Sequence, residues 1–180
     1  MVKLLSTEQM AEFANSGCLF FDGLIDNETN KEFLNDIGHT DIENVDNMQK
    51  YFQNIKASSS IPRIPAGTPL KNAYPHKSPL EKIFKNEVVA GAINSLVGSE
   101  AVVDHQFLHL TFPTKYFKKT NQRQMSQVNH QDSTIDPRIT FDIQLFYFPT
   151  DVTKEMGGTR YHPGTHLRIV NEMGIAKYQN

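Results

Sequence analysis

The sequence predicts an α+β domain in which helices come first and an antiparallel sheet or barrel follows. Three observations lead there. Apolar residues recur at helical spacing three times before residue 98: at Met10, Phe13 and Ala14, at Phe33, Leu34 and Ile37, and from Leu80 to Val97. From residue 101 the apolar runs become β-rich and roughly alternating. The chain has 180 residues, 38% hydrophobic and 21% charged, which suits one soluble domain with a core.

The elements follow in order. Ser6 with Gln9 reads as a capping box, and Gly17 stands where the first helix stops. Residues 18–21 (CLFF) read as a short strand. Asp26 caps a second helix, which Gly38 ends. Ile42, Val45, Phe52 and Ile55 can share a helical face. SSSIPRIPAGTP (58–69) reads as an irregular surface loop. That loop, around 56–78, is either a functional lid or an insertion with no role in chemistry, and residues 58–76 are where substrate specificity is expected. Ser78-Pro79 opens a further helix with a cap and an N1 proline. Its period runs on through Ile83, Phe84, Val88, Val89, Ala92, Ile93, Leu96 and Val97 to Gly98. Residues 101–112, 125–132 and 139–148 read as strands, and 161–166 approaches a fourth, broken by Pro163-Gly164. One domain thus spans 1–180, helical over 1–98 and strand-forming over 99–180.

Charge and cysteine content exclude several classes. The net charge of −2 gives no electrostatic case for nucleic acid or an anionic membrane. No apolar run approaches a membrane span, and MVKLLSTEQM is too short for a secretory signal. Cys18 is the single cysteine, so no internal disulfide forms, and its apolar neighbours suggest a core thiol. The expected location is cytoplasmic. Asn27-Glu28-Thr29 fits a glycosylation sequon, a triplet that recurs by chance.

The chemistry centres on His130-Gln131-Asp132. In a strand, positions i and i+2 share a face, so an imidazole and a carboxylate can converge on one ion. With a distant histidine they complete a facial triad that leaves iron positions open for a chelating cosubstrate and oxygen. Chance alone yields roughly 0.4 His-x-Asp triplets in a chain of this composition, so the surroundings must carry the assignment. The triplet ends one candidate strand, precedes Asp136-Pro137, and is followed by the strand TFDIQLFYF and then EMGGTRYHPGTHLR.

This order resembles the phytanoyl-CoA dioxygenase family of Fe(II)- and 2-oxoglutarate-dependent oxygenases: HxD, a strand, a Gly-rich turn, then PG[ST]H. TEQMAEFANSGCLFFDGLID resembles the family's opening helix and strand. SPLEKIF and VVAGAINSLVGSE resemble the helix before its first barrel strand. The resemblance runs from about Thr7 to about Val170, with residues 39–77 poorly matched. It implies an incomplete double-stranded β-helix (a jelly-roll, cupin-like barrel) after the N-terminal helices. It also implies Fe(II), 2-oxoglutarate and O2 as cofactors and cosubstrates, His130 and Asp132 as metal ligands, and a small organic substrate that is hydroxylated.

Gln144 and Phe146, on one face with Asp142 and Phe148, are candidates for the cosubstrate pocket; ordinary core aromatics are the alternative. In the family the third ligand, a histidine, and a carboxylate-binding arginine lie well beyond PG[ST]H. Only fourteen residues follow His166 here, and they contain no histidine. The sequence therefore reads as truncated before the last ligand and the closing strands. DNA downstream of Asn180 encoding His, then Arg, would support that reading. As metal ligands, His162 and His166 are weighed against loop packing or solvent exposure, and His105 and His109 against satisfied strand histidines; as carboxylate binders, Arg160 and Arg168 are weighed against surface or loop-bracing arginines. Two rivals stand beside the oxygenase: a degenerate jelly-roll that binds a ligand or partner without turnover, and a cupin with another metal.

Overall fold

The computed structural model describes residues 2–39, 51, 53, 63–109, 142–153, 156 and 158–167. They hold four α-helices, which we number α1 (Thr7–Ser16), α2 (Asn27–Asp36), α3 (Pro79–Lys85) and α4 (Glu87–Val97). Two short strands are β1 (Thr68–Pro69) and β2 (Val102–Val103), and 3-10 turns span Leu70–Asn72 and Thr165–Leu167. The chain forms two compact units: residues 1–7, 20–109 and 145–151, and residues 8–19, 110–144 and 152–180.

The first unit is built on α2, α3 and α4. Asp26 accepts from the Thr29 backbone N–H at 2.8 Å and from its hydroxyl at 2.9 Å, so one residue fixes where α2 begins. The same bonds, the backbone one first, hold the Asp26 carboxyl below its ordinary range. Phe33 and Ile37 bury one face of α2, and Gly38 follows with φ 68°. Ser78 caps α3 by accepting from the Glu81 N–H at 3.2 Å. The Glu81 carboxylate in turn accepts from the Lys77 N–H and pairs with Lys85 Nζ at 2.6 Å. Its pKa is pulled down to about 2, first by the Lys85 bond and then by the Lys77 N–H. α2 packs on α3, and Lys82 of α3 pairs with Glu32 of α2. Ile83, 2% exposed, is the largest fully buried side chain among the described residues.

The helical period from Leu80 to Val97 suggested one helix; the structure has two. Asn86 leaves the helix with φ −54° and ψ 132°, then caps α4 by accepting from Val88 N at 2.9 Å and Val89 N at 3.3 Å. A polar cap residue interrupts a pattern that apolar spacing alone reads as continuous. α4 buries Val89, Gly91 and Ile93. Residues 2–5 cross it, with Lys3 N donating to Glu87 O at 3.0 Å and Leu5 N to Ser95 Oγ at 3.0 Å. A Cβ at Gly91 would overlap the Lys3 carbonyl, so glycine permits this close approach.

The strand predictions need correction among the described residues. Within 101–109 only Val102–Val103 joins a ladder, and its partner is Thr68–Pro69, part of the segment read as irregular loop. The pairing is antiparallel, Thr68 opposite Val103. Gly67 N bonds Val103 O at 2.8 Å and Leu70 N bonds Ala101 O at 2.9 Å. Residues 18–21 and 142–148 join no ladder among the described residues. Alternation specifies two faces, but a strand also needs a neighbour to bond with, which lies far away in sequence. Residues 161–166 turn at Pro163-Gly164 (φ 76° at Gly164) and enter a 3-10 turn. The sheet of the described residues is two-stranded, and no barrel is formed within them. The predicted strand 125–132 and the face of Ile42, Val45, Phe52 and Ile55 lie outside the described residues.

In the second unit α1 ends at Gly17, with φ 79°, whose N–H reaches Phe13 O at 2.7 Å. Cys18 is half-buried rather than in the core; burial, then Glu12, pushes its thiol up and away from reactivity.

Candidate functional site

His130 and Asp132, the predicted metal ligands, lie outside the described residues, as does Arg168. The segments 104–109 and 142–148 are described, and a tyrosine anchors each of 104–109 and 145–148. Tyr74 stacks on Phe84 of α3, centroids 4.8 Å apart, and its hydroxyl donates to Gln106 Oε1 at 2.9 Å. Tyr147 meets Phe33 of α2 edge-on at 5.2 Å and donates to Asn30 Oδ1 at 2.6 Å. Burial, with the Asp26 charge adding to it, pushes the Tyr147 hydroxyl up to about 12; burial also raises Tyr74. Both hydroxyls therefore stay protonated donors across the physiological range. Neither tyrosine is marked in the sequence: Tyr74 falls in the segment that reads as loop, and Tyr147 lies opposite the face of Gln144, Phe146 and Phe148. In 142–148 Ile143 and Tyr147 are half-buried, while Leu145 between them is exposed, so alternation alone does not mark Tyr147.

The even positions face out. Phe146 is 56% exposed and Phe148 50%, their rings stacked at 6.5 Å with 9° between planes. They are not the core aromatics that the alternative required. Gln144 is exposed on the same chain segment. In 104–109 Gln106 and Leu108 are half-buried, while Asp104 is exposed and His105, Phe107 and His109 form an exposed row. His105 stacks on Phe107 at 5.8 Å and His109 meets the same ring at 5.9 Å. The phenyl ring stands between the imidazoles, so the two do not converge on one ion. His105 Nδ1 instead bonds Asp104 Oδ2 at 2.7 Å; a carboxylate only accepts, so that nitrogen carries the proton.

His162 is exposed, and its carbonyl accepts from the Thr165 hydroxyl at 2.8 Å. His166 Nε2 bonds the Ala14 carbonyl at 3.1 Å, a loop-packing role rather than a ligand role. Arg160 is exposed. No three His, Cys, Asp or Glu side chains gather into a metal-holding group among the described residues. No helix among them is long and apolar enough to cross a membrane.

Comparison with known proteins adds one finding. The sequence model of the family described as phytanoyl-CoA dioxygenase (PhyH) matches residues 13–177, nearly the whole chain and including His130, Gln131 and Asp132. No curated protein and no solved structure matches.

Proposed function

Because the chain belongs to the phytanoyl-CoA dioxygenase family, we propose that it is an Fe(II)- and 2-oxoglutarate-dependent dioxygenase that hydroxylates a small organic substrate. The observation that carries this reading is the family match running across the His130-Gln131-Asp132 triplet and on through the PGTH segment. The donor set fits the metal: an imidazole nitrogen and a carboxylate oxygen, two residues apart, suit a non-haem ferrous site. His130 and Asp132 would hold it. Fe(II) with 2-oxoglutarate and O2 supplies the oxidising power for C–H hydroxylation, with succinate and carbon dioxide as co-products.

The chain's own part is to orient and to shield. Tyr74 bonds Gln106, and Tyr147 docks residues 145–148 on α2. Gln144 and Phe146 are the candidates to contact the cosubstrate. The same reading brings with it a jelly-roll barrel on a single domain.

Anaerobic titration of the intact chain with Fe(II) and 2-oxoglutarate, followed by admission of air, tests the proposal. A metal-to-ligand charge-transfer band and succinate release are expected, both abolished by His130→Ala. Turnover that survives His130→Ala would remove the metal assignment. Stable folding with neither band nor succinate would favour a ligand-binding protein without turnover.

A further inference from the structure

An α-helix leaves its last four carbonyls without partners in the helix. In α1 these belong to Phe13, Ala14, Asn15 and Ser16. Gly17 N serves Phe13 O, in the ordinary local manner. Two of the others are served by residues about 150 positions away. His166 Nε2 reaches Ala14 O at 3.1 Å, and Gly164 N reaches Ser16 O at 3.0 Å. The His166 ring also lies 6.4 Å from that of Phe13.

Glycine at position 17 matters twice. Its φ of 79° disfavours a side chain, and a Cβ there would overlap the His166 imidazole around Nδ1. The turn that delivers the histidine is self-bonded: Thr165 Oγ1 to His162 O at 2.8 Å and Leu167 N to Gly164 O at 3.2 Å. Gly164, at φ 76°, allows its N–H to point at the helix end.

We propose that the HPGTH turn is a clasp that caps the C-terminal end of α1 from a distance, with His166 and Gly17 as its two halves. The proposal does not depend on iron. A carbonyl only accepts, so Nε2 carries the proton, while Nδ1 faces Gly17. Nε2 is then not free for a metal while the clasp is closed. Arg160 stands just before the clasp turn, which offers a local readout. Proteolytic cleavage of a loop requires local opening and tracks the open population when reclosing is fast.

Two measurements on the intact 180-residue chain decide the matter. In the unmodified protein, 15N-resolved NMR should find His166 protonated at Nε2 when neutral; the Nδ1–H tautomer would overturn the clasp. Trypsin cleavage after Arg160 should accelerate roughly two- to tenfold in His166→Leu, the range set by losing one hydrogen bond. Gly17→Ala should do the same, and the double variant should be little faster than either single one. His166→Gln, whose amide nitrogen takes the place of Nε2, should restore the original rate. Unchanged cleavage in both single variants, or effects that multiply in the double variant, would overturn the proposal. Should His166→Leu fail to fold, the tautomer in the unmodified chain still decides.

Discussion

The α2–α4 layer and the segment 145–149 belong to the same compact unit but are held in different ways. Each helix of the layer starts at a cap built from neighbours in sequence: Asp26 for α2, Ser78 for α3, Asn86 for α4. Each then buries apolar side chains. Residues 145–149 join no ladder among the described residues, and Leu145, Phe146 and Phe148 are exposed. Their described anchor is Tyr147, through one ring contact and one hydroxyl. The difference teaches that a locally capped element is stabilised along its whole length. A segment docked by one side chain depends on a contact 117 residues away.

That contrast can be broken or sharpened by measurement. The largest effect is expected from Ile83→Ala, which empties a fully buried site on α3. A loss of about 2–5 kcal/mol in chemical denaturation is expected. A loss near zero would mean that the helical layer is not the stability core. Tyr147→Phe keeps the ring on Phe33 and removes only the bond to Asn30, so about 0.5–1.5 kcal/mol is expected. Hydrogen exchange should rise in 142–148 while α2–α4 stay protected; exchange rising equally in the helices would erase the distinction.

The smallest effect concerns acid. The Glu81 carboxyl titrates at about 2 in the folded chain against an ordinary 4.5. A depressed carboxyl contributes stability that is present above the ordinary value and is lost as pH falls through the folded one. Helicity followed by circular dichroism should therefore soften between about 4.5 and about 2, with Asp26 adding in the same direction. Glu81→Gln should flatten that slope, and an unchanged slope would detach the start of α3 from this charge.

Much of the helical half is legible without coordinates. Asp26, Gly17, Gly38, Ser78-Pro79 and Gly98 mark starts and stops correctly, because a cap and the groups that it satisfies lie within four residues. The buried face of α2 follows from the spacing of Phe33 and Ile37. The strand half was less legible. The two faces of 104–109 and 142–148 were readable as alternation, but not which face turns inward. Tyr74 and Tyr147 settle that through bonds to Gln106 and Asn30. His105 and His109 look like a metal pair in sequence and are separated by Phe107 in space.

The sequence by itself determined the helix starts at Asp26 and Ser78, the stops at Gly17, Gly38 and Gly98, the order of HQD and PGTH, and the family that this order marks. Only the tertiary structure decided three other matters. Thr68–Pro69 pairs with Val102–Val103, Tyr147 docks on α2, and His166 closes the end of α1. The reason is one of range. A helix satisfies its backbone within one turn of chain, so its signals are local. A ladder, a docked hydroxyl and a distant cap each need a partner that chain folding alone brings within reach.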